Sequence, residues 1–188
     1  MIFSQTNVPE FSVIIPSYQS AHCLLDCLAS LEAQKTKMLY EIIVVDSTEE
    51  SLRTLVVGSY PDVVFIEQPD RCFPGAARNL GVKQARGEWL AFTDADCVIP
   101  PDWLEQIAYH VRNRNSGIIG GAILNGLKQD YIATAEYYLE FSQFIAGRPA
   151  GLLEFQPTCN MAISKQVFEE LGGFTALETA EDVEFGAR

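Results

Sequence analysis

The chain has 188 residues, 48% of them hydrophobic and 20% charged, which is apolar material enough for one sizeable core in a single ordered domain. Its 13 Lys and Arg stand against 25 Asp and Glu, a formal charge of −12 that opposes nonspecific binding to nucleic acid or to an anionic membrane surface, so any phosphate it binds needs a metal or a local site. Cys23, Cys27, Cys72, Cys97 and Cys159 form no Cys-x-x-Cys pair and lack the density of a disulfide scaffold, pointing to a reduced cytosolic setting.

The N-terminus shows no basic segment followed by a long apolar run, and no stretch is both long and apolar enough to span a membrane. Phe11 to Ile15 is a short Val- and Ile-rich run stopped by Pro16, and it reads as a buried strand. Ala21, Leu24, Leu25, Leu28 and Leu31 then recur at helical spacing. Cys23 and Cys27, four apart on that helix, suit packing better than metal binding for want of partner ligands. Glu41 to Val45 is a second buried strand, ending at Asp46. A weaker helix around Ser51 to Val57, a strand at Asp62 to Ile66, a helix from Gly75 to Ala85 and the strand Trp89 to Phe92 extend the alternation. Such alternation implies the α/β class: a mostly parallel sheet with helices on both faces.

Past Asp96, Pro100 and Pro101 open a helix with Leu104, Ile107, Ala108 and Val111 on one side. Gly117 to Leu127 reads as a buried strand with its turns, strand-like from Ile118 to Leu124. A helix near Tyr131 to Phe144 and a strand over Gln156 to Ile163 follow. Val167, Phe168 and Leu171 mark a short helix that Gly172-Gly173 ends. Thr179 to Arg188 reads as helical but stops without a closing signal, so residues 1–188 are expected to be one domain of a protein that continues beyond Arg188.

In open α/β sheets, ligands bind in the crevice at the carboxyl ends of the strands. Three polar clusters fall there: Pro16-Ser17-Tyr18 after the first strand, Asp46-Ser47-Thr48 after the second and Asp94-Ala95-Asp96 after the fourth. Singly, each has a plain use in capping, turn formation or solvation of a strand end. Together they supply a ring for a base, an acceptor for a base N–H and two carboxylates for a hard cation. Mg²⁺ and Mn²⁺ keep waters and take phosphate oxygens, so two protein carboxylates suffice to dock a diphosphate.

Five ordered stretches carry a resemblance: Phe-Ser-Val-Ile-Ile-Pro-Ser-Tyr, Glu-Ile-Ile-Val-Val-Asp-Ser, Gly-Ala-Ala-Arg-Asn-Leu-Gly, Gly-Glu-Trp-Leu-Ala-Phe-Thr-Asp-Ala-Asp, and Leu-Gly-Gly-Phe followed by Glu-Asp. From about Phe11 to Arg188 the chain resembles the family 2 glycosyltransferases. That resemblance implies a GT-A fold, with a Rossmann-like mixed, mostly parallel sheet. It also implies metal-dependent, inverting transfer of a sugar from a nucleotide-diphosphate donor, usually a UDP-sugar, to a hydroxyl of a glycan or lipid-linked acceptor, in polysaccharide, glycolipid or cell-envelope glycan synthesis. Carried over residue by residue, it gives Pro16, Ser17, Tyr18 and Asp46 to the nucleoside, and Asp94 and Asp96 to Mn²⁺ or Mg²⁺ on the diphosphate, Asp94 thereby also touching the nucleotide. Arg78 falls to the phosphates or sugar, and Asp182 is the general base. The setting implied is cytoplasmic, at most peripheral to the inner face of a membrane.

The turn after the second strand is shorter than the family's usual Asp-Asp-Gly-Ser or Asp-Ser-Gly-Ser, so Ser47 and Thr48 receive no role. Arg78 is also consistent with a surface arginine paired to an acid, Asn79 with fixing a local turn, and Thr179-Ala180-Glu181-Asp182 with a helix capping box. Trp103 is expected to pack near the metal loop, while His22 and His110 lack metal partners at usable spacing. A competing reading is a catalytically incomplete nucleotide-sugar-binding or scaffold protein of the same fold. Nucleotidylyltransferases and dinucleotide oxidoreductases lack support, since Pro16-Ser17-Tyr18-Gln19 offers no glycine-rich phosphate loop.

Overall fold

The computed structural model describes residues 8–114, 117–127 and 129–188; part of the N-terminal stretch read for a leader, residues 1–7, lies outside them. In chain order the elements are β1 (Phe11–Ser17), α1 (Leu24–Glu32), β2 (Tyr40–Asp46), α2 (Arg53–Ser59), β3 (Val64–Glu67), α3 (Pro74–Gln84) and β4 (Trp89–Phe92). They continue with α4 (Trp103–Arg114), β5 (Ile118–Gly120), α5 (Tyr131–Phe141), β6 (Met161–Ser164), α6 (Lys165–Glu170) and α7 (Glu181–Gly186). One six-stranded sheet runs in the order β3-β2-β1-β4-β6-β5. The first four strands are mutually parallel, and β6 runs antiparallel to both β4 and β5.

Both sheet faces are covered, as the near-continuous apolar strands require. Phe11, Val13 and Ile15 of β1 point to a core with Leu24, Leu28 and Leu31 of α1, Val56 of α2, and Leu104 and Ile107 of α4. Ile14 points the other way, to a core with Ala77 and Val82 of α3, Phe168 of α6 and Phe185 of α7. Gly81 of α3 sits where an added Cβ would lie 2.5 Å from Ile14 Cγ2, so a bare backbone lets this helix rest on the sheet.

Pro16 does not stop β1, which continues to Ser17. The Ser17 carbonyl accepts from Ser47 N–H on the β2 side, and the Ile14 carbonyl accepts from Thr93 N–H on the β4 side. By the same alternation, Pro16 turns its missing N–H toward β4, where pairing has already ended at Ile14 and Phe92. No ladder bond is lost there.

The second half departs further from the sequence pattern. Pro100 and Pro101 form a turn whose carbonyls accept from the Gln34 amide and the Lys35 backbone N–H, so α4 starts only at Trp103. The apolar run from Gly117 to Leu127 is not a buried strand: β5 spans Ile118–Gly120 on the sheet edge, and Leu124 and Leu127 are exposed. Side chains supplement the backbone bonds of Gly121 N–H to the Asn160 carbonyl and Ile123 N–H to the Phe144 carbonyl, with the Gln156 amide donating to the Gly121 carbonyl and the Asn160 amide to the Ala122 carbonyl. A Cβ at Gly120 would stand 1.9 Å from Gln156 Oε1, so any larger residue there displaces the Gln156 side chain from these carbonyls. Of the strand expected over Gln156 to Ile163, residues Thr158–Asn160 make a 3-10 turn and only the end is strand. Helix α5 buries none of its residues and ends at Phe141, although its sequence is apolar. Among the described residues no helix is long and apolar enough to cross a membrane.

Candidate active site

The carboxyl ends of β1 and β4, the loop before α3 and the segment before α7 enclose a cleft of about 630 Å³. Pro16, Ser17, Tyr18, Arg78, Asp94, Asp96 and Asp182 all line it, so seven of the eight residues expected at the site converge. Asp46 reaches the same strand end but is 2% exposed and lies behind the wall. Its Oδ1 accepts from Ser17 Oγ at 2.7 Å and from Thr48 Oγ1 at 2.8 Å, and its Oδ2 from Thr48 N–H at 3.3 Å. Register places these groups together, since Ser17 and Asp46 are direct partners across β1 and β2. Thr48 thus acquires a place that its shortened turn hid.

Asp94 and Asp96 sit on the turn that follows β4, closed by Cys97 N–H donating to the Asp94 carbonyl at 3.1 Å. The Cys27 thiol donates to the same carbonyl at 3.5 Å. Burial pushes the Cys27 thiol well up, ahead of the effect of Cys97 and the two aspartates, so it remains a protonated donor. Its packing role is borne out, and all five cysteines are free. Trp103 also packs near this loop, 7% exposed, with its indole N–H donating to Asn160 Oδ1 at 2.8 Å.

Arg78 occupies the centre. It is 2% exposed and gives one Nη to Asp94 Oδ1 at 2.5 Å and the other to Glu181 Oε1 at 2.6 Å. Its Nε is buried and, among the described residues, has no hydrogen-bond partner. The surface-arginine alternative is thereby excluded: this guanidinium ties the turn after β4 to the first residue of α7, 103 positions away in sequence from it. Close approach needs small residues at the opening of α3, and an added Cβ at Gly75 would stand 3.0 Å from Glu181 Cγ. Asn79 does not fix a local turn either. Its amide donates to the Phe174 carbonyl at 2.8 Å and its Oδ1 accepts from Phe174 N–H at 3.0 Å, clamping the loop that leads to α7.

Gly172 and Gly173, with φ of 80° and 73°, turn the chain after α6 into that loop. No capping box starts α7. Its cap position is Ala180, left-handed at φ 60° and with no side-chain cap bond, so Thr179 plays no capping part. Asp182 accepts from Val183 N–H at 2.9 Å and is half-buried at the cleft wall. Glu181 was seen in the sequence only as the neighbour of Asp182, and nothing in its local pattern marked it for burial against an arginine.

Six carboxylates and two guanidiniums line the cleft, from Asp94, Asp96, Glu140, Glu178, Glu181 and Asp182 against Arg71 and Arg78. A diphosphate entering such a wall meets net repulsion unless a cation accompanies it. Among the described residues no cluster of three or more His, Cys, Asp or Glu side chains is arranged to hold a metal alone. Two aspartates on one turn nevertheless suit Mn²⁺ or Mg²⁺, which complete their shells with water and phosphate oxygens.

A parallel α/β sheet with an antiparallel β6, and a carboxylate turn at the rim after β4, defines the GT-A fold of nucleotide-sugar transferases. The chain belongs to the family described as Glycosyl transferase family 2, which matches residues 12–172. It is 29% identical over 175 residues to Glycosyltransferase AglE of Haloferax volcanii, covering 90% of this chain and 57% of that protein. Over 117 residues it is 32% identical to the poly(ribitol-phosphate) beta-N-acetylglucosaminyltransferase TarS of Staphylococcus aureus, covering 58% of this chain and 20% of TarS. The structure of TarS 1–349 in complex with UDP-GlcNAc superposes with a TM-score of 0.70 at 21% identity, over 94% of this chain and 52% of that one. The mannosyltransferase PcManGT of Pyrobaculum calidifontis, in complex with GDP-Man and Mn²⁺, gives 0.72 at 21% identity, over 96% and 51%. The chain thus spans a little over half the length of AglE and about half of these solved chains.

Proposed function

We propose that residues 1–188 form a donor-binding GT-A domain that transfers a sugar from a nucleotide diphosphate, a UDP-sugar first among candidates, to an acceptor hydroxyl with inversion at the anomeric carbon. The observation that carries this is the shared cleft: Tyr18, Asp94, Asp96 and Asp182 line one cavity, with Arg78 bridging its two sides. Tyr18 stacks the base and Pro16 and Ser17 shape the nucleoside pocket. Asp46, buried behind the wall, serves the nucleoside pocket by fixing Ser17 and Thr48 rather than by meeting the base itself. Asp94 and Asp96 hold Mn²⁺ or Mg²⁺. When bound, that cation supplies positive charge beside the leaving diphosphate.

Arg78 is already given to Asp94 and Glu181, so its first task is to hold the metal turn and the base helix in one geometry. It also lines the cleft, which supports placing it beside a donor phosphate or the sugar as well. Asp182 takes the proton from the acceptor hydroxyl as that oxygen bonds to the anomeric carbon and the bond to the diphosphate breaks on the opposite face. One displacement inverts the configuration. TarS with UDP-GlcNAc and PcManGT with GDP-Man and Mn²⁺ support a nucleotide-sugar donor and a divalent metal, and the poly(ribitol-phosphate) in the name of TarS supports a polymer as acceptor. The free thiols fit a cytoplasmic setting, at most peripheral to the membrane's inner face.

The test is thermal stabilisation by UDP-, GDP- and dTDP-sugars with and without Mn²⁺, followed by product analysis of the anomeric configuration. Metal-dependent stabilisation by one nucleotide and transfer with inversion are expected. No stabilisation by any of them overturns the donor reading, retention overturns the single displacement, and binding without transfer favours the catalytically incomplete alternative.

A further inference from the structure

The loop between β3 and α3 brings to the cleft a guanidinium that none of the roles above uses. Arg71 Cζ stands 4.8 Å from the centroid of the Tyr18 ring and 5.0 Å from that of Phe73. All three residues line the same cleft as Asp94 and Asp96. The other lining guanidinium, Arg78, is buried between two carboxylates. Arg71 differs in each respect: it is exposed and, among the described residues, makes no salt bridge, although acids outnumber bases along the cleft. Ring faces hold it, through the attraction of a cation to their negative quadrupole.

A guanidinium is planar, delocalised and weakly hydrated, so it packs flat against other π surfaces, and a nucleobase is such a surface. The Tyr18 ring is the platform the donor reading gives to the base, and a planar cation stands over it. The long stem of Arg71 lets its head move away by the thickness of one ring while Phe73 keeps it over the cleft.

We propose that Arg71 is the second wall of the base subsite: the nucleobase enters between the Tyr18 ring and the Arg71 guanidinium and is stacked on both faces. This rests on the donor reading. Because every base presents a π face, Arg71 sets the affinity for the nucleoside rather than the choice of base, which stays with groups that address the base edge.

The test measures equilibrium binding, by ligand-observed NMR or calorimetry, of uridine and UDP, and in parallel guanosine and GDP, to the wild-type chain, Arg71→Ala and Arg71→Lys. Mn²⁺ is present throughout. Stacking on a planar group contributes about tenfold in affinity, so both variants should lose that factor, equally for nucleoside and diphosphate. Lysine keeps the charge but not the plane and should not rescue. Unchanged affinity in Arg71→Ala overturns the assignment, as does a loss confined to UDP or GDP that Arg71→Lys restores, since that is pairing with phosphate. A wild-type chain that binds none of the four overturns the donor reading itself, and the second-wall role of Arg71 with it. As an exposed residue, Arg71 should tolerate both substitutions with the melting temperature of the wild type.

Discussion

Two arginine–carboxylate networks, at opposite ends of the same parallel strands, use similar groups for different ends. At the amino end, Glu41 of β2 accepts from Ser12 Oγ of β1 at 2.7 Å, from Arg86 N–H at 2.7 Å and from Arg86 Nε at 2.8 Å. Ser12 Oγ accepts in turn from Gly87 N–H, where an added Cβ would fall 2.7 Å from the β1 backbone. There the carboxylate is buried, the guanidinium side chain is 67% exposed, and every contact closes the junction leading into β4. At the carboxyl end the arrangement is reversed. The Arg78 guanidinium is buried, Asp94 is partly open to the cleft, and Arg78 serves two carboxylates from distant segments. A buried carboxylate with its acceptors filled is a structural clamp. A buried arginine that leaves carboxylates facing a cavity organises a site, and the placement of the strand ends decides which role each network takes.

The comparison breaks most sharply at Asp182, the cleft carboxylate that, among the described residues, accepts only from Val183 N–H of its own helix. Asp182→Asn should lower the transfer rate by about 10² to 10⁴ while leaving donor binding and melting temperature unchanged, as read by a steady-state assay beside a thermal-shift titration. An active variant would remove the base assignment. Arg78→Ala strands Asp94 and the buried Glu181 without their shared cation, and should destabilise the fold by about 3 to 5 kcal/mol in denaturant unfolding. A loss below about 1 kcal/mol would mean that the bridge carries no structural role.

The amino-end clamp should respond to pH. Burial alone raises the pKa of Glu41, but the Ser12 hydroxyl, the Arg86 backbone N–H and its guanidinium outweigh burial and hold it below the ordinary 4.5. Its contribution is therefore complete above that value and is lost as pH falls through the lowered folded-state pKa. Glu41→Gln should cost about 1 to 3 kcal/mol at neutral pH and flatten this acid limb of the stability curve. The smallest effect belongs to Arg86→Ala. With the Ser12 hydroxyl and a backbone N–H still on Glu41, removing the exposed guanidinium should cost less than about 1 kcal/mol, measured by chemical denaturation.

Much of the fold was legible because the first half obeys simple periods. The apolar runs of β1, β2 and β4 and the helical spacing of α1 and α3 each named their element to within a few residues. The second half was less legible. Past Gly120 its ladder gives way to scattered backbone bonds, Gly121 N–H to the Asn160 carbonyl and Ile123 N–H to the Phe144 carbonyl, supplemented by the Gln156 and Asn160 side chains, so apolar content over Gly117 to Leu127 misled. At the site, residue types pointed to Tyr18, Asp94 and Asp96 and the family resemblance to Asp182; strand order joined the first three, and the return of the chain's far end added the last. Asp46 carried the right chemistry, but its burial behind Ser17 and Thr48 depends on cross-strand register. Arg71 stacks on a residue 53 positions earlier in the chain, and no local pattern encodes that contact.

By itself the sequence determined the alternation of strands and helices, the acidic balance that calls for a cation beside any bound diphosphate, and the identity of the carboxylates available for chemistry. These follow from local periodicity and from charge, which a linear chain displays directly. Only the tertiary structure decided that Arg78 joins Asp94 to Glu181, that Asn79 clamps Phe174, and that Arg71 stands over Tyr18. Each is a pairing between segments distant in sequence, made when the sheet closes and the chain's far end returns to the rim.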